Sequence, residues 1–123
     1  MLKPTRLKKL IWVGSSKKDL KDFPEEVQDV FGYALYLAQT GNKHANAKPL
    51  KGFHGAGVLE LVEEFDGNAY RAVYTVKLGD IVYVLHAFQK KSTSGIATPT
   101  KEIELVKQRL KIAQAHHEQE LGK

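Results

Sequence analysis

VLELVEEFDGNAYRAVYTVKLGDIVYVLHAFQKKS, residues 58–92, decides the fold. It contains three runs rich in β-branched and aromatic residues, Val58–Phe65, Ala69–Leu78 and Ile81–Gln89. Between them stand the turn signals Asp66-Gly67-Asn68 and Gly79-Asp80, so the segment predicts an antiparallel meander. With Gly79 and Asp80 as a two-residue hairpin loop, Leu78 meets Ile81. Counting back sets Val73 opposite His86, Arg71 opposite Phe88 and Ala69 opposite Lys90. Arg71, His86, Phe88 and Lys90 then share one face. The other collects Tyr70, Ala72, Tyr74, Val76, Tyr83, Leu85 and Ala87, a set suited to packing under the N-terminal helices. Register is the decisive variable, because a three-residue loop would move one strand's side chains to the opposite face.

Outward from the meander, Leu7 to Val13 reads as a first strand that stops at Gly14. Ser16 with Asp19 resembles a capping box for a short helix through about Phe23. Pro24, Glu25 and Glu26 suit the first turn of a second helix, along which Val27, Val30, Phe31, Ala34 and Ala38 recur at helical spacing until Gly41. Residues 41–57 lack periodicity and predict a loop, whose candidate polyanion contacts are Lys43, His44, Lys48 and Lys51. Thr98-Pro99 opens a C-terminal helix carrying Ile103, Val106, Leu110 and Ala113 to about Gln119, with a polar tail beyond. The expected plan is α+β in the order β-α-α-β-β-β-α: a mostly antiparallel four-stranded sheet packed by two N-terminal helices and a C-terminal helix. At 123 residues, a single domain spanning 1–123 is expected.

The absence of cysteine excludes disulfides and thiolate metal sites. The apolar run Leu10–Val13 is too short for a signal-peptide core or a membrane span, so the expected location is the cytoplasm. The net charge of +5 and pI near 9.4 favour polyanionic partners. Residues 58–89 hold two basic and five acidic side chains, so the positive charge lies towards the two ends and Arg71 stands out in the middle.

Each candidate also has a structural explanation. Arg71 can pair with Glu60 or Glu64 on the neighbouring strand, and His86 can be a hydrogen-bonded strand histidine. Lys90 and Lys91 can be solvated charges that discourage edge pairing. His116 and His117 diverge around a helix, and His44 and His54 have no partner at a ligand spacing, so no metal site is expected. Gly52-Phe53-His54-Gly55-Ala56-Gly57 lacks the lysine and the helix of a phosphate loop and reads as a flexible approach to the sheet.

Tyr70-Arg71-Ala72-Val73-Tyr74, then Val82 to Ser92 with its His86-to-Lys91 run, then Thr98-Pro99, Glu102-Ile103 and Arg109, together resemble the HigB-like, phage-related branch of the RelE/ParE toxins. The resemblance covers roughly residues 48–115. It implies a RelE-like fold and a type II toxin neutralised by a cognate antitoxin, commonly a helix-turn-helix protein. For the HigB-like branch it further implies an mRNA interferase, an endoribonuclease that cuts messenger RNA on the ribosome without metal or organic cofactor. Arg71, Lys90 and Lys91 match the basic positions that related toxins place around the scissile phosphate, and His86 is a fourth candidate. Lys48 and Lys51 are expected to bind RNA, and Phe88 either stacks on a base or packs under the C-terminal helix.

Metal-independent cleavage uses the 2′-hydroxyl as internal nucleophile, so the protein must align it, stabilise the phosphorane and manage two protons. Arginine and lysine answer the charge requirement, and an imidazole titrates in the useful range. If Arg71 clamps the phosphate, Arg71→Ala is expected to slow cleavage by about two to three powers of ten with the fold intact. Glu60 and Glu64, predicted on Arg71's face, hold it in place, accept a proton or weaken RNA affinity. Two other functions fit the same fold: ParE-like inhibition of DNA gyrase by binding, and a non-catalytic nucleic-acid or protein-binding module.

Overall fold

The computed structural model describes residues 6–91 and 98–122. Its elements are β1 (Lys9–Trp12), α1 (Ser16–Lys21), α2 (Glu25–Gln39), β2 (Lys48–Pro49), β3 (Val58–Phe65), β4 (Asn68–Thr75), β5 (Ile81–Lys91) and α3 (Thr100–Leu121). The strands form one sheet in the order β1-β5-β4-β3-β2, parallel at β1–β5 and antiparallel at the other pairings.

Among the described residues the sheet has five strands where the sequence predicted four. The addition is β2, where Lys48 pairs with Glu60 and Pro49 with Leu59 inside the expected loop. A two-residue strand leaves no periodicity to read, and proline is tolerated there because β2 is an edge. The helix starts also differ in detail. Ser16 does not cap α1; its buried hydroxyl donates to the Val84 carbonyl at 3.0 Å, while Ser15 donates to Asp19. Thr98 does not cap α3 either, because its hydroxyl is directed to Glu60.

Helices cover both faces. On one, α1 and α2 bury Leu20, Val27, Phe31, Ala34 and Leu35 against Leu61, Tyr70, Ala72, Tyr74 and Ala87. On the other, Val106, Leu110 and Ala113 of α3 pack on Val73, Tyr83, Leu85 and Phe88. Tyr83 and Leu85 therefore sit opposite to the face predicted for them. The cause is a one-residue shift in the β4–β5 ladder: Val73 pairs with His86, but Tyr74 pairs with Val84, leaving Leu85 as the extra residue. A bulge of this kind turns two successive side chains to one face, here Leu85 and His86, and reverses the alternation of the residues before it. The predicted pairs beyond the bulge are observed, Arg71 with Phe88 and Ala69 with Lys90, and Leu78 bridges Ile81 at the turn.

Candidate functional site

Arg71, His86 and Phe88 lie under α3, at 3 %, 5 % and 9 % exposure. Alternation along β4 turns Arg71 to the α3 side, and the antiparallel β3–β4 ladder brings Glu60 of β3 to the same side two pairs away. Arg71 Nη1 donates to Glu60 Oε1 at 3.3 Å and to Thr98 Oγ1 at 3.1 Å, and Thr98 Oγ1 donates to Glu60 Oε2 at 2.7 Å. The Glu60 carboxylate is thus held from two sides, and about 13 % of its side chain remains exposed.

That exposed part faces an open cleft of about 430 Å³ lined by Lys48, Pro49, Leu50, Lys51, Glu60, Thr98 and Ile103. Lys48 is the backbone partner of Glu60 across β2–β3, and both Lys48 and Lys51 are exposed at the rim. Lys90 shares Arg71's face and is half-buried. The Lys91 backbone pairs with Asn68, while its side chain lies outside the described residues, as does the Ser92–Gly95 link.

His86 belongs to a second cluster. Its Nε2 is 3.2 Å from Glu102 Oε2, its Nδ1 is 3.4 Å from Arg109 Nη1, and its ring stacks on Phe88 at a 4.6 Å centroid distance. Burial pushes the imidazole pKa down from 6.5; Glu102 opposes this and Arg109 adds to it. The neutral ring satisfies both contacts in one tautomer, with Nε2–H donating to the Glu102 carboxylate and Nδ1 accepting from Arg109. Arg109 continues the cluster, donating to the Leu85 carbonyl at 3.0 Å and to Ser15 Oγ at 3.1 Å. Arg109 also fills the space over Gly14, where a Cβ would stand 2.8 Å from its Nε. The cluster therefore clamps α3 to the bulge and to the entry of α1.

The structure joins Lys48, Lys51 and Arg71 around Glu60 and places His86 apart, against α3. The sequence suggested Thr98 as a helix cap and left the roles of Glu102 and Arg109 unresolved. Their signal was the spacing of Glu102, Val106 and Arg109, which puts all three on one face of a helix, but which face meets the sheet depends on tertiary packing. Among the described residues, no three His, Cys, Asp or Glu side chains group in a way that could hold a metal ion. No described helix is long and apolar enough to cross a membrane.

The site is thus a basic cleft beside a sheet-borne Arg–Glu pair on an α+β fold. The sequence matches the family described as phage-derived protein Gp49-like over residues 18–111, and the chain belongs to that family. Comparison with curated proteins finds no match. A solved structure similar to the chain is that of the toxin–antitoxin complex RelBE2 from Mycobacterium tuberculosis. The identity is 16 % and the TM-score 0.47, covering 72 % of this chain and 97 % of the other.

Proposed function

We propose that the protein is the toxin of a type II toxin–antitoxin system, a cytoplasmic, ribosome-dependent endoribonuclease that cleaves messenger RNA without a metal. The observation that carries this reading is the cleft in which Lys48 and Lys51 flank the Glu60 carboxylate, itself held by Arg71 and Thr98. Anionic RNA is attracted to the lysines, and the one carboxylate among them is the group able to accept a proton.

The reaction assigns a role to each part. Glu60 takes the proton from the 2′-hydroxyl, whose oxygen attacks the adjacent phosphorus. The bond from phosphorus to the 5′-oxygen breaks, and a lysine ammonium gives that oxygen its proton. The products are a 2′,3′-cyclic phosphate and a 5′-hydroxyl. Lys48 and Lys51 stabilise the charge of the phosphorane at the cleft, with Lys90 and Lys91 extending the phosphate contact along β5. Arg71, buried behind Glu60, is a positioning residue that keeps the carboxylate aimed into the cleft. His86 and Phe88 have their partners within the fold and hold α3 in place. The expected partners are the ribosome, messenger RNA and a helix-turn-helix antitoxin.

The burial of Arg71 and His86 favours a second reading, ParE-like inhibition of DNA gyrase, because a binding inhibitor needs no accessible acid–base pair. Purified protein added to a translation reaction and, separately, to a supercoiling assay distinguishes the two. Messenger cuts that disappear with Glu60→Gln support the nuclease; intact messenger with loss of supercoiling supports the inhibitor.

A further inference from the structure

On the α2 side of the sheet, away from Glu60, Lys8, Lys43 and Lys77 surround a second cleft of about 280 Å³. Its floor is apolar, made by Ala38, Leu59 and Val76 of the α2-side core. The remaining lining, Gly41 and Asn42, is uncharged, so no carboxylate lines the cleft among the described residues. The Lys8 backbone and the Lys77 side chain are held in position. The Lys8 backbone N–H donates to the Gln39 carbonyl at 2.9 Å, and Gln39 Nε2 donates back to the Lys8 carbonyl at 2.8 Å. Lys77 Nζ donates to the Gly55 carbonyl at 3.2 Å, and its stem lies so close to Gly57 that a Cβ there would meet it at 2.5 Å.

Next to this cleft α2 turns aromatic rings outward. Tyr33 and Tyr36 are 57 % and 50 % exposed, and the His44 ring stands edge-on to Tyr33 at 6.0 Å. A Cβ built on Gly32, between the rings and the helix start, would meet nothing within 4 Å, so the surface there is open to a flat ligand. His44 follows Lys43 in the chain, so the Tyr33–His44 ring pair begins one residue from a lysine that lines the cleft. Exposed rings beside a row of cations fit single-stranded nucleic acid, whose bases stack on aromatic faces while its phosphates meet lysines.

We propose that this surface binds a single-stranded segment of RNA, with bases on Tyr33 and Tyr36 and phosphates over Lys8, Lys43 and Lys77. The choice of RNA rests on the nuclease reading, whereas the surface itself is independent of the Glu60 cleft and lies on the opposite face of the sheet. It gives the protein a second RNA contact, separate from the strand being cut.

The test is the fluorescence anisotropy of a short labelled oligouridylate titrated with the full chain at several salt concentrations. Lys43→Ala/Lys77→Ala is expected to lower the slope of log affinity against log salt by about 1.4, two phosphate contacts' worth. Tyr33→Ala/Tyr36→Ala is expected to weaken binding at least about fivefold, with Tyr33→Phe/Tyr36→Phe restoring it. All four side chains are surface groups, and circular dichroism checks the fold of each variant. Unchanged affinity and slope in the alanine variants, or tighter binding of an oligothymidylate of equal length, overturns the proposal. Messenger cleavage by the wild type is read separately: cleavage without this binding sinks the surface alone, and binding without cleavage sinks the nuclease alone.

Discussion

Arg71 and Glu60 depend on each other. Removing the guanidinium leaves a largely buried carboxylate without its cation, so Arg71→Ala should cost about 3 kcal/mol of stability, measured by urea unfolding. This revises the expectation from sequence that the fold would tolerate the change. In a Glu60→Gln background the same substitution should cost much less, and equal costs in both backgrounds would remove the coupling. His86 gives a pH dependence. Because burial lowers its pKa below 6.5, the unfolded chain binds the proton more readily than the native one. The contribution is therefore complete above about pH 6.5 and is lost as pH falls through the lower native value. Urea midpoints between pH 7.5 and 5 should fall in the wild type and fall less in His86→Gln; parallel curves would show that another group governs the acid response. The pairing of Arg71 with Phe88 agrees with the count from the turn because the one-residue shift at Leu85 is cancelled by the opposite offset between the Leu78–Ile81 bridge and the Tyr74–Val84 pair. The partners of His86 were not legible, since they come from a helix whose docking angle no local pattern encodes.

At the scale of elements, α3 and the entry to α1 are joined through Gly14. Its φ of +56° is a left-handed conformation, and Arg109 occupies the place a Cβ would take. Gly14→Ala should cost about 1–2 kcal/mol from the backbone conformation and more from the collision with Arg109. Adding Arg109→Ala relieves only the collision, so the two costs should be less than additive in thermal unfolding. Strict additivity would contradict the close approach. The helices and the three long strands were readable from 3.6- and 2-residue periods, which survive wherever one face is buried. The bulge at Leu85 and the short β2 were not readable. One extra residue inverts a face without altering composition, and two residues carry no period. The loss was consequential for Tyr83 and Leu85 and harmless for Arg71, Phe88 and Lys90, because the offset between Leu78–Ile81 and Tyr74–Val84 is undone at Leu85.

For the whole molecule, the charge pattern in the sequence acquires a location. The basic ends of the chain place Lys48 and Lys51 by Glu60 on one face and Lys8 and Lys43 on the other, around a net-acidic central meander. The fold could be read from the sequence because periodicity, turn chemistry and the family resemblance agreed. The candidate site was legible only in part: Glu60 was expected beside Arg71 together with Glu64, and what sets Glu60 apart is the convergence of β2 and Thr98 on it. Replacing Lys48 and Lys51 together by alanine should lower messenger cleavage by at least tenfold with little effect on folding, as expected for surface charges that act on a phosphate. The most direct test of the central claim is the chemistry of the cut ends, mapped on messenger RNA recovered from a translating system exposed to the purified protein. Attack by the 2′-hydroxyl predicts 2′,3′-cyclic phosphate and 5′-hydroxyl ends, formed only when ribosomes are present and lost with Glu60→Gln. Ends bearing 3′-hydroxyl and 5′-phosphate, or cuts undiminished in Glu60→Gln, would contradict it.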